Sequence, residues 1–198
     1  MLSVQTAYPT LGQQVIGTNS NLLTKMLMVV VGSLALWASA KIQIPFYLVP
    51  MTMQTTVVFM IGMAFGWRLG GLTILLYLFE GAMGLPVFSG TPEKGIGLAY
   101  IMGPTGGYLL GFFFAAVVLG WLAEKGWDRN YFSTAIAMVL GNAIIYAVGV
   151  SWLGSIVGWD KPVLEWGMMP FLLGDAIKLV LASLLLPLTW KLLGKSKG

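Results

Sequence analysis

The chain has 198 residues, 58% of them hydrophobic and only 9% charged, with a mean hydropathy of +0.85. A water-soluble domain carries about a quarter charged residues, so this chain cannot cover a water-facing surface and its main solvent must be lipid. It has no cysteine and no histidine, which excludes disulfides, Cys/His zinc sites, ordinary haem or copper sites and Ser-His or Cys-His catalysis; the net charge of +4 is scattered between apolar runs, which argues against a nucleic-acid partner.

Residues 1–21 are polar and lack the basic and apolar regions of a signal peptide, so they read as a short cytoplasmic tail. A bilayer core of about 30 Å takes roughly 20 residues of apolar helix. Spans are expected near 22–40, 48–66, 69–83, 105–125, 131–156 and 168–193. The chain therefore reads as one all-α integral membrane domain of six transmembrane helices, and its 26 glycines suit that class.

In the first span, Ala35 and Ser39 stand four apart, a spacing of small residues found at closely packed helix faces. That face either packs internally or docks another membrane protein. Gln54, with Thr52 and Thr55, opens the second span as a helix cap or a ligand donor. Glu80 falls late in the third span, near its outer end. The connection 84–104 is rich in Gly and Pro and should be a structured loop.

Gly103-Pro104-Thr105-Gly106-Gly107-Tyr108 leads into the fourth span. Free N–H groups at such a helix start attract a carboxylate; alternatively the glycines only permit tight packing. Thr105, Gly106, Gly107 and Tyr108 are therefore candidate ligand contacts. In the fifth span Asn142 and Tyr146, at i and i+4, form a polar stripe that serves either helix–helix hydrogen bonding or a ligand.

The last span holds Gly174-Asp175-Ala176-Ile177-Lys178. Ionisable groups inside a span cost a few kcal/mol each and usually face the bundle interior, pair, and mark a functional site. Asp175 and Lys178 share one helix face. The carboxylate can accept two N–H bonds from a ligand and the ammonium can donate to a carbonyl; the alternative is a self-neutralising structural pair.

Lys25, Arg68, Lys125, Arg129, Lys191, Lys195 and Lys197 fall on one side of these spans. Lys41, Lys94 and Lys161 fall on the other, with Glu93, Asp160 and Glu165. The positive-inside rule puts the first set, and both termini, in the cytoplasm. Trp67, Trp121, Trp127, Trp159 and Trp166 sit near span ends, where an aromatic belt belongs.

Several chemistries are near misses. Gly90 to Ile96 has the glycine spacing of a P-loop without its Lys-Ser/Thr ending. Leu173-Gly174-Asp175 resembles an intramembrane aspartyl protease motif, yet Asp128 and Asp160 both fall in loops. Ser89 and Ser151 lack a histidine. An enzyme is not expected. Neither a ring of like charges nor an internal repeat suggests a channel or a secondary transporter.

Taken together, four stretches resemble the BioY family, the biotin-specific substrate-binding (S) components of energy-coupling factor transporters. They are Ala38–Pro45 leading to Val49–Gln54, Gly84–Phe88, Gly103–Tyr108 and Gly174–Lys178, in the family's order and spacing. The family's first loop often reads Pro-x-x-Pro-Val-Pro; here Pro45-Phe46-Tyr47-Leu48-Val49-Pro50 has one proline fewer. The resemblance implies a six-helix S-component bundle in the bacterial cell membrane, with a pocket open to the outside and biotin as ligand. It implies that Asp175 and Lys178 contact the polar ring of biotin. Thr105–Tyr108 and Asn142 are the next candidates, and Lys41–Gln54 would close over the pocket. It further implies a transmembrane coupling protein and two ATP-binding subunits as partners; the small-residue face of Ala35 and Ser39, where backbones can approach closely, is the candidate docking surface. No cofactor or metal is expected. Two rivals stand beside this reading: an S component for another small vitamin, and a non-transporting membrane assembly protein whose Asp175–Lys178 pair is structural.

Overall fold

The tail begins folding before the first span. The computed structural model describes residues 8–17, 20–45 and 48–195, and the side chain of Lys195 is not among the described ones. Lys197, the first seven residues of the tail, and Phe46 and Tyr47 of the first loop lie outside the described residues. Helix α1 (Leu11–Ile16) opens with a capping box, in which Thr10 and Gln13 exchange side-chain and backbone bonds. Thr10 and Leu11 are buried, so this part of the tail is packed against the bundle.

Helix α2 (Leu22–Lys41) starts at Asn21, whose side chain accepts from the Thr24 N–H at 2.9 Å. The chain then makes a small antiparallel hairpin of β1 (Gln43–Ile44) and β2 (Met51–Thr52), pairing Gln43 with Thr52. A second span was expected from residue 48. Instead Pro50 disfavours helix at the residue before it, Met51 and Thr52 pair in the hairpin, and the helix begins at Gln54, whose N–H bonds the Thr52 hydroxyl at 3.2 Å.

Helix α3 (Gln54–Ala82) is interrupted at Gly66, where φ is 79° and ψ is 173°. The chain reverses there. A Cβ placed on Gly70 would lie 3.2 Å from the Gly62 Cα, and Gln54 reaches the Tyr77 hydroxyl at 2.8 Å. In a straight helix those two residues would stand about 35 Å apart. The second arm starts with the Trp67 N–H donating to Glu124 Oε1 at 3.3 Å. Gly120 is the residue that lets this reversal approach α5, since a Cβ there would come 2.3 Å from the Trp67 nitrogen.

A loop containing α4 (Leu98–Ile101) leads to α5 (Gly106–Ala123), and α6 (Tyr131–Val157) follows with Asn130 as its cap. After α7 (Val163–Gly167) and a 3-10 turn (Met169–Phe171) comes α8 (Leu172–Lys195). Among the described residues five helical segments are long and apolar enough to cross a membrane, with the reversing α3 taken as one and α7 to α8 as another. Its α5 is the central element, with 67% of its apolar stretch buried, whereas α2 is the least covered at 22%.

Candidate functional site

Asp175 lies in the first turn of α8, where the positive end of the helix dipole favours a carboxylate. Asp175 and Lys178 are 7% and 8% exposed, so both charges are removed from lipid and water and need partners. Lys178 Nζ donates to Asp175 Oδ1 at 3.0 Å, to the Thr52 carbonyl at 2.8 Å and to the Thr55 hydroxyl at 3.2 Å. Those bonds use all three donors of the ammonium. On the other side the Tyr146 hydroxyl donates to Asp175 Oδ2. A carboxylate offers about four acceptor positions, so Asp175 keeps roughly one free on each oxygen.

These groups border a partly open cavity. Its polar lining includes Thr52, Gln54, Thr55, Thr105, Asp175 and Lys178; Ser89 and Tyr146 also reach it. Tyr108, Leu109, Phe112, Ile145 and Phe171 supply apolar and aromatic walls. The mix of side chains suits one small, partly apolar ligand with a polar end.

Three elements converge because of local choices in the sequence. Gly174 lets the hairpin rest on α8: a Cβ there would lie 2.7 Å from the Met51 sulfur. The Lys178 bond to the Thr52 carbonyl ties the end of β2 to the same helix. Tyr77, fully buried, accepts from Gln54 Nε2 at 2.8 Å and donates to the Val87 carbonyl at 2.9 Å, which fixes the Gln54 amide and anchors the outer loop. Lys41 holds the same loop through the Pro86 and Phe88 carbonyls at 2.8 and 3.0 Å, and Ser89 donates to Gln43 of β1.

Of the residues singled out from sequence, Gln54, Thr105, Tyr108, Tyr146, Asp175 and Lys178 come together on the cavity. Gly106 and Gly107 do not. A Cβ on Gly106 would fall 1.8 Å from the Ile101 oxygen, and one on Gly107 2.2 Å from Trp152 Cβ, so both serve close packing. The Gly106 and Tyr108 N–H groups already bond the Gly103 and Thr105 carbonyls at 3.1 Å, leaving neither free to hold an anion. Asn142 also lies off the cavity wall, one turn of α6 from Tyr146, with Oδ1 buried and unpartnered among the described residues. Ala35 is exposed, but Ser39 is 5% exposed and donates to the Leu36 carbonyl at 2.8 Å. The two therefore do not form one outward face. Ser89, Thr55 and Phe171 line the cavity without having been singled out as contacts from sequence. No local signal marks which residue of a Gly- and Pro-rich loop turns inward, or which aromatic of an apolar run becomes a wall.

The family model described as the BioY family matches residues 12–195. A "probable biotin transporter BioY" of Rickettsia prowazekii is 34% identical over 170 residues, covering 86% of this chain and 84% of its relative. A "biotin transporter BioY" of Thermotoga maritima is 43% identical over 147 residues, covering 74% of this chain and 83% of its own. Among solved structures, the S-component for biotin from an ECF-type ABC transporter superposes with a TM-score of 0.74 at 25% identity, covering 88% of this chain and 94% of that one.

Proposed function

Since this chain belongs to the BioY family, we propose that its cavity is where it binds biotin as a multi-pass membrane subunit for uptake of that vitamin. The observation that carries the site is the half-free carboxylate of Asp175 on the wall of a cavity otherwise rich in apolar side chains. The ureido ring of biotin presents two N–H donors, and a buried carboxylate is a strong acceptor for such a pair. Its thiophane ring and valerate chain would lie against Tyr108, Phe112 and Phe171. Gln54 and Thr105 are the next polar contacts.

The finer reading has three parts. The reversing α3 counts as two crossings, giving six in all. Lys25, Arg68, Lys125, Arg129 and Lys191 lie in the cytoplasm with both termini, while Lys41 and the hairpin face outward. In support, Arg129 stacks on Trp190 at 4.3 Å and Lys191 reaches Tyr131 at 3.2 Å, so these basic residues gather at one end. The subunit works in the bacterial cell membrane with a transmembrane coupling protein and two ATP-binding subunits.

A specific observation favours the opposing, purely structural view of the pair: every donor of Lys178 is satisfied internally. Titrating purified protein with biotin, read through its tryptophans and against a panel of other vitamins, decides between them. Saturable quenching by biotin alone is the expected result. A response to another vitamin would reassign the ligand, and no response to any would leave the pair a structural device.

A further inference from the structure

Away from that cavity, a long groove runs between α2 and the second arm of α3, with a volume of about 850 Å³. The two helices run parallel: Gly32 packs on Thr73, Ser33 donates to Glu80, and Lys41 reaches Pro86. Their N-terminal ends therefore lie at the same membrane face. At that end the groove is lined by Lys25, Arg68 and Glu124, with Trp67 beside them. Farther along, its walls are wholly apolar, including Met26, Val30, Leu72, Leu76 and Phe79.

We propose that this groove holds one anionic phospholipid, its phosphate between Lys25 and Arg68 and an acyl chain along Leu72 to Phe79. Neither Lys25 nor Arg68 is in a salt bridge or a side-chain hydrogen bond among the described residues, and with Glu124 they leave a net positive charge at the polar end of an apolar channel. Arg68 stacks on Trp67 at 5.0 Å and lies within electrostatic reach of Glu124. Glu124, the one acid there, already has Oε1 on the Trp67 N–H. Basic pockets between transmembrane helices recognise phospholipid headgroups on these terms. The length fits as well: Arg68 to Phe79 is about 17 Å of helix, close to the roughly 15 Å of one leaflet's hydrocarbon. A free phosphate would leave the apolar walls unoccupied.

The test offers detergent-purified protein phosphatidylglycerol and phosphatidylcholine of identical chains and counts bound lipid by native mass spectrometry. Wild-type protein should retain phosphatidylglycerol at least fivefold over phosphatidylcholine. Lys25→Gln with Arg68→Gln should remove that preference without changing the melting temperature, and Leu72→Trp, which fills the channel, should lower retention of both lipids. Equal retention by wild-type protein, an arm that needs no variant, overturns the proposal. So does an undiminished preference in the double variant. Unchanged lipid counts in Leu72→Trp, with loss of a complex with the coupling protein, would assign the groove to a protein partner instead.

Discussion

Asp175 and Lys178 are paired but not equivalent, and replacing them one at a time should separate binding from folding. In Asp175→Asn the amide oxygen can still face Lys178 and the amide N–H can donate to the Tyr146 hydroxyl, so the fold loses only about 1–3 kcal/mol. The ligand, however, loses at least one charge-assisted bond worth about 1.5–3 kcal/mol, which is roughly a 10- to 150-fold weaker Kd. Lys178→Met is the converse. It strips the Asp175 carboxylate of its cation and frees the Thr52 carbonyl and Thr55 hydroxyl; breaking such a buried pair costs about 3–5 kcal/mol. The double variant Asp175→Asn/Lys178→Met removes both charges and should regain most of that stability while still failing to bind. Thermal unfolding in detergent and biotin titration on all four proteins supply the cycle. Wild-type affinity in Asp175→Asn, or in the double variant, would refute the assignment of Asp175 as the ligand's acceptor.

Four other expectations follow from the geometry. Tyr77→Phe leaves Gln54 Nε2 and the Val87 carbonyl unpaired, and should cost about 1–3 kcal/mol with a several-fold loss of biotin affinity in the same titration. Gly107→Val drives a side chain into Trp152 and the Val148 oxygen; overpacking of about 3 kcal/mol should appear as a lower melting temperature. Lys41→Met releases the Pro86 and Phe88 carbonyls and Thr91, so hydrogen exchange should speed up across residues 86–95. Burial pushes the Asp128 carboxyl up to about 6, so between about pH 4 and pH 6 the folded protein holds a proton that the unfolded chain has released. Stability should fall as pH rises through that window, by up to about 3 kcal/mol, and level off above it. Asp128→Asn, which keeps an acceptor for the Trp190 N–H, should flatten that fall in melting curves taken across the same range.

The membrane-crossing character of the helices was legible because hydropathy acts locally. The start of α3 was not. Residues 48–53 are apolar enough to extend a span, but Pro50 and the pairing of Met51 and Thr52 with Ile44 and Gln43 keep them out of the helix. Pairing across the first loop is a long-range event, and periodicity carries no record of it. The reversal of α3 had a local signal in Gly66, Gly70 and Gly71. Its consequence, Gln54 meeting Tyr77, depends on where the second arm returns.

At the site, the same contrast separates residues on the cavity from those off it. Asp175 and Lys178 stood out because charge in an apolar helix is costly wherever it sits, and that cost demands a buried, polar surrounding. Gly106 and Gly107 were ambiguous because a glycine-rich helix start has two physical uses: to expose N–H groups to an anion, or to admit a neighbour. The difference lies in Trp152, 45 residues after Gly107, whose side chain occupies the space a Cβ would need. Asn142 lies off the cavity and Ser39 is buried for a related reason. A helical face is defined relative to its neighbours, and a shift of one turn separates Tyr146 on the cavity from Asn142 off it. Sequence identifies which groups must be satisfied; only the packed neighbours determine whether a ligand or the protein itself satisfies them.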